Sequence, residues 1–345
     1  MPDGAPTSDV ALVAAAAAGS HDAFRALLAP IERDLQLLCY RMMGSLHDAQ
    51  DVLQEAKIRA WKALPGYRGR ASFGTWMYRV ATNASLDALR SRRRRFLPQD
   101  LGSARDPELG LGHQRHDIPW LEPYPDSLLP SEDPQAALEL RESVRLAFIE
   151  LLQLLPPRQR AVLILRDVLD WSGAEVAAAL STSIAAVNSA LQRARATLGG
   201  RRRGEPRSSV STNLSTARAA MADRYVRAWE AGDIDAIVDM LAEEATHAMP
   251  PWPAWFVGRE TLKTVYAAYP IWHGQPRPGL FRIVPVPLNG ELGFAEYCRD
   301  GPSDPFRALA LTIAVLSDDG SSIAEKISFV DAGLFPLMGL PGTLD

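Results

Sequence analysis

Two cysteines in 345 residues, Cys39 and Cys298, are too few and too far apart for a disulfide framework. Uninterrupted apolar runs of membrane-spanning length are missing as well. The alanine-rich start, Ala11 to Ala18, follows Asp3 and Asp9 rather than a basic stretch, so it makes a poor signal peptide and a reasonable leading helix. His113 and His116 lack companion cysteines or carboxylates at metal-ligating spacing. No carboxylate–histidine pairing marks a catalytic centre. The expectation is a reduced, cytoplasmic chain with no membrane partner, metal, cofactor or catalytic residue, and not an enzyme.

What is present begins with apolar content, 47%, enough for real cores in two or three domains. The net charge of −4 hides an asymmetry. Residues 1–95 carry 14 basic and 9 acidic side chains, 96–134 carry 2 and 8, 135–204 carry 10 and 6, and 205–345 carry 11 and 18. Two basic blocks separated by an acidic spacer and followed by an acidic domain suit phosphate contacts that acidic segments could mask.

The densest pattern runs from Ser172 to Leu198. Ser172 and Glu175 form a capping box, Val176 and Leu180 an inward stripe, and Ser181-Thr182-Ser183 a polar turn whose last hydroxyl caps a second helix. Ile184, Val187, Leu191, Ala194 and Leu198 give that helix an apolar side. Asn188, Ser189, Gln192, Arg193 and Arg195 occupy its other faces. Amides, a hydroxyl and guanidiniums on a short second helix suit a DNA major groove, although an ordinary helical hairpin with a wet side would read alike.

Elsewhere the chain divides by periodicity. Residues 10–95 read as helices, 96–134 as an acidic Pro/Gly-rich linker, 135–200 as helices again, and 201–215 as a hinge. From about 216 to 345, one or two helices precede β-like runs, which indicates an α+β fold. The fold class is therefore two all-α domains followed by an α+β domain. On Asp48–Leu64, an inward stripe of Leu53, Ala56, Ala60 and Leu64 leaves Asp48, Asp51, Gln54 and Glu55 outward. On the helix from Phe73 to about Arg95, Met77, Val80, Ala81, Ala84 and Ala88 face inward, with Arg79, Thr82, Asn83 and Arg90 elsewhere on the cylinder.

The run DAQDVLQEAKIRAWKALPGYRGRASFGTWMYRVATNASLDALRSRRRR, Asp48 to Arg95, resembles the core domain of sigma-70-type initiation factors, in particular the extracytoplasmic-function group. Residues 135–200 resemble that group's second domain, a helix-turn-helix that reads the upstream promoter element. The resemblance implies that Asp48, Asp51, Gln54 and Glu55 dock on the largest catalytic subunit of core RNA polymerase. It implies that Asn83, with Arg70, Ser72 and Phe73, captures an unstacked base of the downstream element, while Arg79 and Arg90 to Arg95 hold phosphates. In the upstream reader, Asn188 stands where that group often has a cation, which favours adenine over guanine. Ser183, Ser189, Gln192, Arg193 and Arg195 complete the expected DNA contacts.

The remainder resembles a SnoaL-like domain of the nuclear-transport-factor-2-like superfamily, through RYVRAWEAGDIDAIVDMLAEEA, the segment Met249 to Glu260 and the closing FVDAGLFPLMGLP. The linker words Trp120 to Asp126 resemble those of sigma factors carrying such a domain. The fold implies a cone-shaped pocket, for which His247, Trp252, Trp255, Phe256, Tyr266, Glu296, Tyr297 and Asp331 are the candidate lining. Three roles stay open: an intramolecular regulator of the DNA-reading domains, a small-molecule sensor, or a residual enzyme fused to them.

Overall fold

In the computed structural model, the described residues are 7–69, 71–130, 134–199, 212–268 and 277–345. Serine hydroxyls cap three of the amino-terminal helices. α1 (Thr7–Ala17) leads to α2 (His21–Leu28), where Ser20 Oγ accepts from the Ala23 amide at 3.2 Å. α3 (Glu32–Met43) stops at Gly44, whose φ of 68° is the left-handed end that glycine adopts without strain. Ser45 caps α4 (Leu46–Ala63) and Ser72 caps α5 (Phe73–Ala88), each accepting from the amide three residues on. α3, α4 and α5 bury Leu35, Leu38, Met42, Val52, Leu53 and Met77 between them. Ala56, Ala60, Ala81 and Ala84 keep the axes close. Each large side chain there contributes roughly 1.5–3 kcal/mol by leaving water.

A second helical group comprises α6 (Pro134–Val144), α7 (Leu146–Gln153), α8 (Pro157–Leu163), a π-helical turn at Ile164–Val168, α9 (Gly173–Ala179) and α10 (Ile184–Gly199). Its described residues, except Val144–Leu146, gather with α1–α5 into one compact helical unit. Several contacts hold the groups together inside that unit. The buried Arg160 guanidinium donates to Met42 O at the end of α3, and to Gln153 Oε1, Gln153 O and Leu155 O after α7. Tyr78 of α5 meets Trp171 edge-on, with ring centroids 5.7 Å apart. Arg41 donates to Ser143.

The second unit is α+β. α11 (Thr212–Ala231), α12 (Ile234–Val238) and α13 (Arg259–Ala267) pack on a sheet with strand order β2-β1-β6-β5-β4-β3. The strands are β1 (Leu241–Ala248), β2 (Trp255–Val257), β3 (Phe281–Pro285), β4 (Leu292–Cys298), β5 (Phe306–Leu316) and β6 (Ile323–Phe329). The pairs are antiparallel except β1 with β6, and β7 (Thr343–Leu344) adds to β5 after α14 (Leu334–Leu337). Tyr225 and Trp229 of α11, Tyr266 of α13 and Phe294 of β4 fill the space between helices and sheet.

The expected linker is not a free tether. Arg95–Ser127 and Val144–Leu146 belong to this second unit. Leu97, Leu121 and Tyr124 are buried in it. Its main chain bonds to the domain: Arg105 N to Trp255 O at 2.8 Å, Arg115 N to Pro251 O at 2.8 Å, and Asp126 N to Pro287 O at 3.1 Å. A segment without helical or strand periodicity satisfies its backbone through one-turn 3₁₀ helices and these long-range bonds. Most of the expected hinge, residues 201–211, lies outside the described residues.

Candidate functional site

α10 carries an exposed polar face. Val187, Leu191 and Ala194 are buried, while Asn188, Ser189, Gln192 and Arg193 point to solvent, and Arg193 donates to Ser189 Oγ. The capping box forms as read: Ser172 Oγ accepts from Glu175 N at 3.2 Å and Ser172 N donates to Glu175 Oε2 at 2.7 Å. Those bonds hold the Glu175 carboxyl below its usual pKa. Ser183 Oγ accepts from Ala186 N at 3.2 Å, so this hydroxyl serves the helix start. One reading of α10 is corrected. Ile184 is 50% exposed rather than inward, because it sits on the first turn beyond the reach of the core. Arg195 is in a two-pronged ion pair with Asp167, at 2.9 and 2.7 Å, which pushes its pKa further up and ties the guanidinium to the π-turn. Beside that pair, Arg166, Asn188, Leu191, Gln192 and Arg195 line a recess of about 400 Å³.

On α4, Asp51, Gln54 and Glu55 lie exposed along one stripe. Asp48 does not. It is 8% exposed and pairs with Arg92 at 2.8 Å, because α4 starts at Leu46 and places this residue in the inner first turn. Sequence reading missed Ile58, 41% exposed on the same stripe one turn after Glu55. Its signal is the 51, 54/55, 58 spacing, which puts an apolar group on an otherwise charged face.

Around α5 the expected pocket is only partly assembled. Arg70 lies outside the described residues. Ser72 is exposed and engaged with Thr75 N and Thr75 Oγ1. Phe73 is buried in an aromatic group, 6.2 Å from Phe24, 6.4 Å from Tyr67 and 5.8 Å from Trp76, so it is a core anchor rather than a strand contact. Thr82 is buried, donating to Tyr78 O. Arg79 and Arg90 are exposed, with Arg90 3.4 Å from Asp87. Asn83 is half-buried and its amide donates to Ala179 O of the helix-turn-helix at 3.5 Å. The basic run is not uniformly available either, since Arg92 holds Asp48, and Arg95 binds Trp120 O and Glu122.

The expected ligand pocket resolves into separate environments. His247 and Tyr266 meet inside the cone at 5.5 Å. His247 Nε2 is 3.0 Å from Ser328 Oγ, which is 2.8 Å from Thr312 Oγ1. Burial, reinforced by Lys326, keeps His247 neutral well below its ordinary pKa. Lys326 lies 3.7 Å from Glu296, over the faces of Trp229, Tyr225 and Tyr266, and Tyr225 donates to Glu296 at 2.6 Å. The domain's own aromatic and charged groups therefore fill this space. Phe256 and the half-buried Trp252 belong to its surrounding core. Tyr297 does not join His247 and Tyr266: it packs on Phe335 and donates to Pro341 O at 3.0 Å. Trp255 turns its indole N–H to Gly102 O at 2.9 Å, and Asp331 is exposed, accepting from Gly333 N.

Comparison with known proteins accounts for these parts. Residues 28–95 match the Sigma-70 region 2 family, 145–198 match Sigma-70 region 4, and 222–317 match the SnoaL-like domain. The chain is 42% identical over 327 residues to the ECF RNA polymerase sigma factor SigG of Mycobacterium tuberculosis, covering 93% of this chain and 85% of that protein. It is 28% identical over 302 residues to SigJ of the same organism, covering 83% and 85%. SigW of Bacillus subtilis is 29% identical over 184 residues, which is 52% of this chain. The crystal structure of SigJ superposes with a TM-score of 0.56 at 21% identity, covering 93% of this chain, and so supports the fold.

Proposed function

Because this chain belongs to the extracytoplasmic-function sigma factors of RNA polymerase, we propose that it binds core polymerase in the cytoplasm, reads a two-part promoter, and is regulated in cis by its SnoaL-like domain. The exposed stripe Asp51, Gln54, Glu55 and Ile58 serves as the polymerase contact, an acidic face that would repel DNA. Asn188, Ser189, Gln192 and Arg193 read the upstream element, and Arg79 and Arg90 hold phosphates. The observation that carries this reading is the exposed polar face of α10 within the capped helix-turn-helix, on a chain that also carries region 2.

Regulation in cis is supported by charge and by attachment. The carboxy-terminal segment is acidic where the helical ones are basic, and it binds the segment that joins them. The cone's interior is filled by Lys326 and its aromatic neighbours, which favours a regulatory scaffold over an enzyme or an open ligand sensor. Run-off transcription with bacterial core polymerase tests both halves of the proposal. Full-length protein should direct initiation, and a chain ending near residue 205 should give a different output. No association with core polymerase in either form would remove the first half; equal outputs would remove the second.

A further inference from the structure

The hairpin tip between β3 and β4 collects three distant stretches of chain. Leu288 and Glu291 pair across Asn289-Gly290, with φ of 52° and 71°, the two-residue turn that Asn-Gly favours. Asn289 is fully buried, so its amide is not merely decorating a turn. Its Oδ1 accepts from Tyr124 N at 2.7 Å, its Nδ2 donates to Val144 O at 2.6 Å, and its main-chain N donates to Tyr124 O at 2.9 Å. Next to it, Glu291 is held between Arg145 at 3.2 Å and Arg218 of α11 at 2.9 Å. The chain that departs after Tyr124 to form α6 thus returns to the same amide at Val144.

We infer that Asn289 is a staple by which the SnoaL-like domain fixes the segment joining regions 2 and 4, and that releasing it is the step through which the domain controls initiation. This rests on the cis regulation proposed above and adds its route. A free segment the length of 96–134 would behave as a coil with end-to-end distance of about 35 Å, and could extend much further. Bonded to the domain between Arg95 and Ser127 and closed at Asn289, that part of the segment has little of that freedom. The staple therefore limits how independently the two DNA-reading groups can move.

The test uses full-length Asn289→Gly, which retains the left-handed turn but removes the amide. Amide exchange around Tyr124 should accelerate about tenfold, while α10 exchanges as before. Run-off output should move toward that of the chain ending near residue 205. Unchanged exchange at Tyr124 would overturn the staple. So would accelerated exchange with parental output while the truncated chain differs, an outcome that leaves cis regulation standing. If the truncated and full-length chains transcribe equally, cis regulation fails, and the staple's role in initiation falls with it. Should Asn289→Gly loosen the whole sheet, Asp126→Ala applies the same criteria, because it removes the 2.8 Å bond that Gly290 N donates to the joining segment.

Discussion

Arg160 in the helical unit and Lys326 in the α+β unit are both buried cations, and the two are satisfied in opposite ways. In the helical unit, Arg160 faces carbonyl oxygens and one amide oxygen, with helix ends supplying most of the acceptors. Burial, with help from Arg94, lowers its pKa to about 10, which still leaves it charged at neutral pH. In the α+β unit, Lys326 has a carboxylate beside it and aromatic faces around it, and burial lowers its pKa while Glu296 opposes the shift. A planar guanidinium with several donors can close off several helix ends at once, whereas a compact ammonium is better served by a point charge and ring quadrupoles. The difference follows from the architecture. Helical groups bring carbonyl ends together; a curved sheet under helices brings side chains together.

Breaking the second arrangement should have the larger effect. Lys326→Met leaves Glu296 buried without its cation and should cost about 3–5 kcal/mol in chemical denaturation; adding Glu296→Gln should restore most of that. A single variant as stable as the parent would show that the pair contributes little. Arg160→Met strands the acceptors at the ends of α3 and α7 and should cost about 3 kcal/mol. Arg160→Lys should recover less than half, since one ammonium cannot span those positions; full recovery would mean that charge alone matters.

His247 sharpens the comparison by pH. Its pKa in the folded chain lies well below 6.5, close to which the unfolded chain titrates, so between those values the unfolded state binds the extra proton. Stability is fully present above about pH 6.5 and falls on acidification, by up to about 1.4 kcal/mol per pH unit. His247→Gln should flatten that slope in pH-dependent melts, and an unaltered slope would assign it to other groups. Asn188→Arg belongs at the small end. On the exposed face of α10 it should leave stability unchanged and shift promoter selection toward guanine by roughly tenfold. Selection of the same base as the parent would remove Asn188 from the readout.

Legibility in the sequence followed the range of the interactions. The Ser172–Glu175 box, the helix-turn-helix and the amphipathic sides of α4 and α5 are local, and short spacings reveal them. Asp48 and Phe73 were misjudged at helix starts, where a shift of two residues in the first turn, or aromatic neighbours from α2 and the preceding loop, decides burial. Asn83 was legible as a polar residue on α5, but its bond to Ala179 O depends on a contact 96 residues away. The attachment of the joining segment to the α+β unit was not legible, because main-chain bonds to Trp255, Pro251 and Pro287 leave no periodic trace. Its buried Leu97, Leu121 and Tyr124 were the available hint, since a solvated tether has no need of them.

The chemistry of the two thiols has a practical consequence. Cys39 is fully enclosed, with its pKa pushed up to about 12, and the half-buried Cys298 is pushed to about 11. Thiolate is then scarce at neutral pH, and thiolate is the species that reacts with maleimides and peroxides. Both native positions should stay quiet toward either reagent. A single reactive cysteine placed at Gln192 or Ile58 would consequently accept a fluorophore selectively, giving a direct optical view of the reading helix or the acidic helix as the factor meets polymerase.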